Sequence, residues 1–249
     1  MDKLVYTAAA GLKSHMAAQA AIANNMANVS TIGFRADRIN FDSMLISSNG
    51  ESMDTRQPGA EAVTDIDRSA GTLMNTGRSL DVAVTSDSWI GVQASDGSEA
   101  YTRRGDLSIA PSGVLQNGEG VPVMGQGGVI TLPPADKVMI GGDGTISIIP
   151  QGGNPNIWQE VDKLKLVSTK GSQTSKGLDN LLHVTGGGAL PTDIDGKVTS
   201  GSLEGSNVNM TQSLVDMIEN QRAYEVQANL LKEAKSMDES SASVMRLPS

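Results

Sequence analysis

The chain has 249 residues, with 19 Lys and Arg against 28 Asp and Glu, a formal charge of −9 and no cysteine. An acidic balance without a dense basic run lacks the footprint of a duplex nucleic-acid binder, and missing thiols exclude disulfides, thiolate metal sites and cysteine nucleophiles. With 28 glycines and 3% aromatic residues, the composition favours a modest, turn-rich β core over one large enzyme core.

From Asp2 to about Asn25 the only glycine is Gly11, proline is absent, and eight alanines lie between Ala8 and Ala23, which is strong helix-forming content. Val5, Ala9, Leu12, Met16, Gln19, Ile22 or Ala23, and Met26 recur at steps of three and four. That is a heptad stripe, weak because several members are small or polar, and so in need of partners. The helix is expected to stop in the block Ala23-Asn24-Asn25-Met26-Ala27-Asn28-Val29-Ser30-Thr31-Ile32-Gly33-Phe34-Arg35. There, asparagines can satisfy terminal backbone groups, Gly33 can redirect the chain and Phe34 can anchor its exit.

Residues 36–77, rich in Ser, Asp, Thr and Gly, read as an extended connector. Then the period changes to two: Leu80-Val82-Val84, Ile90-Val92-Ala94, Leu107-Ile109, Val121-Val123, Ile146-Ile148 and Leu164-Leu166 predict strands with one buried face. Asp96-Gly97, Ser112-Gly113, Asn117-Gly118 and Asp143-Gly144 supply hairpin turns. From Asn209 to about Met245 the chain again lacks Gly and Pro, and Leu214, Met217, Gln221, Tyr224, Ala228, Leu231 and Lys235 keep heptad spacing. Asn209 and Thr211 are candidate N-caps, and Pro248 lies just past the end. At ~1.5 Å per residue the two helices would be about 36 and 55 Å long. The expected fold is α+β. Residues 1–35 and 209–249 form terminal helices paired as a coiled coil, 36–77 the connector, and 78–208 a mainly antiparallel β domain.

Catalytic chemistry has little to work with. His15 sits in the alanine helix and His183 follows Leu181-Leu182 in an apparent strand, both expected as packed or surface histidines. Asp81, Asp87, Asp96 and Asp106 read as strand-end and turn carboxylates. The glycine clusters at 125–128, 141–144 and 186–188 fail the phosphate-loop and dinucleotide spacings and read as turns. No apolar run approaches a membrane span, and Lys13, Ser14 and His15 interrupt any secretory h-region. No enzyme activity, cofactor or metal is expected, and no nucleic-acid partner or membrane insertion.

The asparagine block resembles the N-terminal motif of bacterial flagellar rod and hook proteins, an Ala-Asn-Asn-apolar-Ala-Asn run followed by Thr-x-Gly-Phe and a basic residue. Gly71-Thr72-Leu73, Thr76-Gly77, Leu80-Asp81-Val82-Ala83-Val84 and Tyr101-Thr102-Arg103-Arg104-Gly105 are similar to that family's second region. Leu203-Glu204-Gly205-Ser206-Asn207-Val208, Met217-Ile218 and Gln221-Arg222-Ala223-Tyr224-Glu225 are similar to its third. Ser88-Trp89-Ile90 stands where many relatives carry Gly-Phe-Phe. Within the family, Met1-Asp2-Lys3-Leu4-Val5-Tyr6 and Leu203–Val208 resemble the proximal rod branch, whereas Gln221–Glu225 is shared with the distal rod branch.

The resemblance implies a structural subunit of the periplasmic rod, a helical polymer whose terminal helices form an inner tube inside the β domains. It also implies unfolded export through the flagellar type III apparatus without a cleaved signal. The implied partners are other copies of the chain, other rod proteins and that apparatus. The assembly surface is expected at Val5, Leu12, Met16, Ile22, Asn24, Asn25, Met26, Asn28, Gly33, Phe34, Leu214, Met217, Gln221, Tyr224, Ala228 and Leu231. A surface adhesin is the alternative from another class, but it would have no need of heptad helices at both ends.

Overall fold

The computed structural model describes residues 2–42, 61–177 and 179–244, and the chain clusters into two compact units. One draws on Met1–Ala27, Asp37–Asp65 and Asn209–Ser249; the other consists of Asn28–Ala36 and Ile66–Val208. Two long helices and a mainly antiparallel set of strands make the structure α+β.

In the first unit, α1 (Asp2–Ala27) and α2 (Met210–Val244) hold the two glycine-poor segments. Asn209 is the cap of α2, its Oδ1 accepting the amides of Thr211 and Gln212 at 3.0 and 3.2 Å. The helices run antiparallel to each other, since Asn220 meets His15 and Gln19 while Gln227 meets Ala8. Asn220 Nδ2 donates to His15 O and Gln19 Oε1, both at 2.9 Å. Its Oδ1 is thereby the acceptor for His15 Nδ1 at 2.8 Å, which places a proton on that nitrogen.

The inward side of α2 is a heptad of Ser213, Asn220, Gln227 and Ala234, one position before the expected Leu214, Gln221, Ala228 and Lys235. Leu214 is 44% exposed. On α1 the offset is partial: Ala8 is buried and His15 half-buried where Ala9 and Met16 are exposed, while Leu12, Gln19, Ile22 and Met26 of the expected stripe are half-buried. Small side chains and hydrogen-bonding polar ones decide this seam: a Cβ at Gly11 would run into the Gln227 side chain. Val5 lies on α1, but its side chain is outside those described, as is Pro248. β1 (Asp37–Asp42) and β2 (Glu61–Ile66), both inside the segment read as a connector, pair in a two-stranded sheet.

The second unit contains sixteen described strands. In chain order they begin with β3 (Leu73–Asn75), β4 (Val82–Val84), β5 (Ser88–Gln93) and β6 (Glu99–Thr102). Two short hairpins follow, β7 (Ser108–Ile109) with β8 (Leu115–Gln116), and β9 (Met124–Gly125) with β10 (Gly128–Val129). A meander joins β11 (Ala135–Ile140), β12 (Thr145–Pro150) and β13 (Gln159–Lys163). The last strands are β14 (Leu166–Ser168), β15 (Thr174–Lys176), β16 (Leu182–Val184), β17 (Val198–Ser200) and β18 (Ser202–Glu204). Gly97, Gly113 and Gly144 turn three hairpins with φ of 84°, 83° and 86°, where the sequence set Asp-Gly or Ser-Gly.

The largest sheet has the order β14-β5-β6-β16-β15. It is covered on both faces, unlike the one-sided strands predicted from the alternation. Ile90, Val92, Ala100 and Leu166 enter the main core, while Trp89, Tyr101, Val167 and Leu182 enter a second one with Ile66 and Leu190. The register makes this split inevitable: Leu166 lies opposite Ile90, Val167 opposite Trp89 and Val92 opposite Ala100, so neighbours along a strand face opposite cores. Each fully buried aliphatic or aromatic side chain contributes roughly 1.5–3 kcal/mol.

Candidate functional site

The second unit's chain crossings converge on one glutamate. Glu204, at the end of β18 and 1% exposed, accepts from Arg35 Nη2 at 2.6 Å and from the Gly71 amide at 2.8 Å on Oε1. Its Oε2 accepts from Arg103 Nη1 at 3.3 Å, and its backbone oxygen accepts from the Gly33 amide at 2.7 Å. Gly33 has φ 67°, and a Cβ there would overlap the backbone joining Arg103 to Arg104, so only glycine brings the loop this close. Gly71 is likewise pressed on Gly205 O.

Arg103 reaches further, donating to Val84 O at 3.1 Å and Ser86 O at 2.7 Å, with its guanidinium 5.4 Å from the Trp89 ring centroid. Trp89 thus adds a cation–π contact to the buried guanidinium. Burial, together with the neighbouring Arg35 charge and against the attraction of Glu204, pulls the Arg103 guanidinium below its ordinary value. Phe34 is 4% exposed, with Lys176 Nζ 3.8 Å from its ring centroid and donating to Arg35 O at 3.2 Å.

Asn207 completes the clasp. Its Oδ1 accepts the Ala36 amide at 2.8 Å, its own amide donates to Phe34 O at 3.3 Å, and Nδ2 donates to Asp67 O and Ser69 O at 3.0 and 3.1 Å. The three motif regions, far apart in sequence, therefore meet: Gly33, Phe34 and Arg35 from the first, Gly71 and Arg103 from the second, Glu204 and Asn207 from the third. Sequence reasoning placed Gly33 and Phe34 on its list but not Arg35, Gly71, Arg103, Glu204 or Asn207. The available signal was the concentration of two arginines and one glutamate inside otherwise small and glycine-rich motifs.

The asparagines divide between the units. In the first unit Asn25 pairs with β1 like a strand, its Nδ2 donating to Asp37 O at 3.0 Å and its Oδ1 accepting the Asp37 amide at 2.8 Å. Asn24 Nδ2 donates to Asp37 Oδ2 at 2.5 Å. These two side chains thus tie the end of α1 to the start of β1 at Asp37. In the second unit Asn28 makes a local turn, its Oδ1 accepting the Thr31 hydroxyl at 3.0 Å and its backbone oxygen the Thr31 amide at 3.2 Å.

Among the other expected residues, Leu12, Ile22, Met26, Met217, Ala228 and Leu231 are half-buried on their helices, while Met16, Leu214, Gln221 and Tyr224 are exposed. His183 bonds to Asp179 at 3.0 Å. Among the described residues no group of three or more His, Cys, Asp and Glu side chains is placed to hold a metal ion, and no helix is long and apolar enough to cross a membrane.

Residues 199–244 match the family model described as flagellar basal body rod FlgEFG protein C-terminal, and residues 83–148 match that of the flagellar hook protein FlgE/F/G D1 domain. Flagellar basal-body rod protein FlgF of Salmonella typhimurium is 38% identical over 237 residues, covering 93% of either chain. Its Escherichia coli counterpart is 37% identical with the same coverage. Flagellar basal-body rod protein FlgG of Buchnera aphidicola subsp. Schizaphis graminum is 32% identical, over 91% of this chain and 94% of its own.

Proposed function

The chain belongs to the flagellar basal-body rod protein family and is a structural rod subunit, more similar to the FlgF of those two species than to the FlgG; we propose that its terminal helices, wound as a coiled coil, polymerise it into the periplasmic drive shaft that transmits torque to the hook. The observation that carries this reading is the outward surface of α2. Leu214, Val215, Ile218, Val226, Leu230 and Met237 are between 44% and 61% exposed, while Ser213, Asn220 and Gln227 take the inward side. A helix in a finished globular protein places its polar side toward water. Here these large apolar side chains stand uncovered among exposed charged ones such as Arg222 and Glu225, left for neighbours, which in a rod are further copies and other rod proteins.

On this reading Leu214, Met217, Gln221, Tyr224, Ala228 and Leu231, with Val5, Leu12, Met16 and Ile22, belong to the assembly surface, and Asn24–Phe34 sets how the helix leaves the subunit. Export unfolded through the flagellar type III apparatus, without a cleaved signal, brings the chain to the periplasm. Aspartate substitutions Ile218→Asp and Leu230→Asp test it: the purified variants should keep a folded β unit by amide exchange, while cells carrying them assemble no rod and do not swim. Normal swimming by the doubly substituted strain would count against the helix surface as the assembly element.

A further inference from the structure

In the first unit one side of the helix pair is open. His15, Met16 and Gln19 of α1 and Asn220, Gln221 and Tyr224 of α2 line a groove of about 190 Å³. One water needs roughly 10–15 Å³ of such space, so the groove takes whole side chains. Its polar floor is already satisfied, because Asn220 is bonded to His15 and Gln19 at 2.8–2.9 Å. What remains for a partner is the apolar wall of Met16 and Tyr224, 61% and 38% exposed. Met16, Gln221 and Tyr224 belong to the heptad stripes of the two helices, and stripes that border a groove form the hole that knobs of a further helix fill.

The chain itself carries such knobs. At about 3.6 residues per turn, Val226 and Leu230 lie on roughly the opposite flank of α2 from Gln221 and Tyr224. They are 60% and 46% exposed. Glu219 and Glu233 stand one heptad before and after Val226, while Lys13 lies one turn before Met16, on the groove side of α1. All three charges are exposed, and none has an ion-pair partner among the described residues. A basic rim and an acidic bracket around the knob suit each other, and such complementarity fixes register. Because groove and knob occupy different flanks, a copy that fills its neighbour's groove still offers its own, and the contact propagates head to tail as a helical polymer requires. We propose that the groove beside Met16 and Tyr224 receives Val226 and Leu230 from α2 of a second copy, with Lys13 facing the acidic pair that brackets the knob. This rests on the rod-subunit reading and assigns which two surfaces of neighbouring copies meet.

Single cysteines report the contact cleanly in a chain that has none. Met16→Cys and Val226→Cys chains bearing different tags are expressed together in cells lacking the unsubstituted chain, and their purified basal bodies are oxidised. A dimer carrying both tags is expected on a non-reducing gel, and neither variant expressed alone should give a dimer. Basal bodies that contain both variants without a mixed dimer would overturn the proposal, as would a link from the Met16→Cys chain to a different rod protein. If the cysteine variants do not assemble, charge reversal decides. Lys13→Glu gathers three like charges at the contact and should reduce swimming, and adding Glu219→Lys with Glu233→Lys to the same chain should restore it. Unimpaired swimming of the Lys13→Glu strain, or no restoration, would refute the pairing. Absence of the unsubstituted chain from purified basal bodies would instead refute the rod-subunit reading, and the pairing with it.

Discussion

At Glu204 the energetic stakes are set by what its removal would leave behind. A buried ion pair costs much of its attraction in desolvation, but deleting one partner strands the other charge, at about 3–5 kcal/mol. Glu204→Gln should therefore destabilise the second unit by about that amount in urea unfolding, since it strands both Arg35 and Arg103. Lys170→Ala removes the ion pair with Asp87, whose partners are 77% and 80% exposed, and should change nothing measurable. Equal effects of the two substitutions would show that burial is not what gives the clasp its weight. Tyr101 gives a pH-dependent counterpart. Burial pushes its phenol from 10.0 up to about 12, outweighing the hydrogen bond that its oxygen accepts from the Leu190 amide at 2.6 Å. Because the folded state holds this proton more tightly than the unfolded one, the contribution is complete below pH 10 and lost as pH rises toward 12. Near-ultraviolet titration should find one of the three tyrosines ionising late, and Tyr101→Phe should remove that part of the alkaline destabilisation.

For the helices, the cap is the simplest element to test. Asn209 Oδ1 accepts two amides that would otherwise be unpaired, and Asn209→Ala should cost about 1 kcal/mol and increase exchange in the first turn of α2. Unchanged exchange at Thr211 and Gln212 would assign the cap elsewhere. Element type and approximate limits were legible because Pro is absent from both helices and Gly from all but Gly11, whereas both punctuate the strands between them. Which residues make the seam was legible only in part: Leu12, Gln19 and Ile22 of the expected α1 stripe are half-buried, but the seam of α2 is displaced. The stripe through Leu214, Gln221 and Ala228 and its neighbour through Ser213, Asn220 and Gln227 differ by one residue, and hydrophobicity favours the first. What selects the second is pairwise: His15 with Asn220, Gln19 with Asn220, and Gly11 making room for Gln227. Hydrogen bonds between residues 205 positions apart have no signature in a periodicity. The same limit hid the clasp, since Arg35, Arg103 and Glu204 each sit in a recognisable motif, yet their meeting depends on the register of β18 with β3 and the turn at Gly33.

For the molecule as a whole, the proposed route to the periplasm sets a mechanical requirement. A narrow channel admits an extended chain or a single helix of ~10–12 Å diameter, so the second unit must open before transit. Its strands join residues distant in sequence, among them Asn75 with Ser202 on β3 and β18, and the cysteine-free chain has no covalent tie to keep them together. Opposed residues of an antiparallel pair have Cα atoms ~4.5–5.5 Å apart, within the range that a disulfide spans. Replacing Asn75 and Ser202 with cysteines and oxidising them before export would close a loop around most of the β unit, which then has to enter the channel as a double strand. The oxidised protein should accumulate in the cytoplasm while the reduced protein is exported. Each single-cysteine variant, lacking the loop, should be exported in both conditions. Fractionation of cells lacking the hook, with the bond verified by mobility on a non-reducing gel, reads the outcome directly. Equal export of crosslinked and reduced chains would contradict transit in the unfolded state and indicate a passage wide enough for the folded β unit.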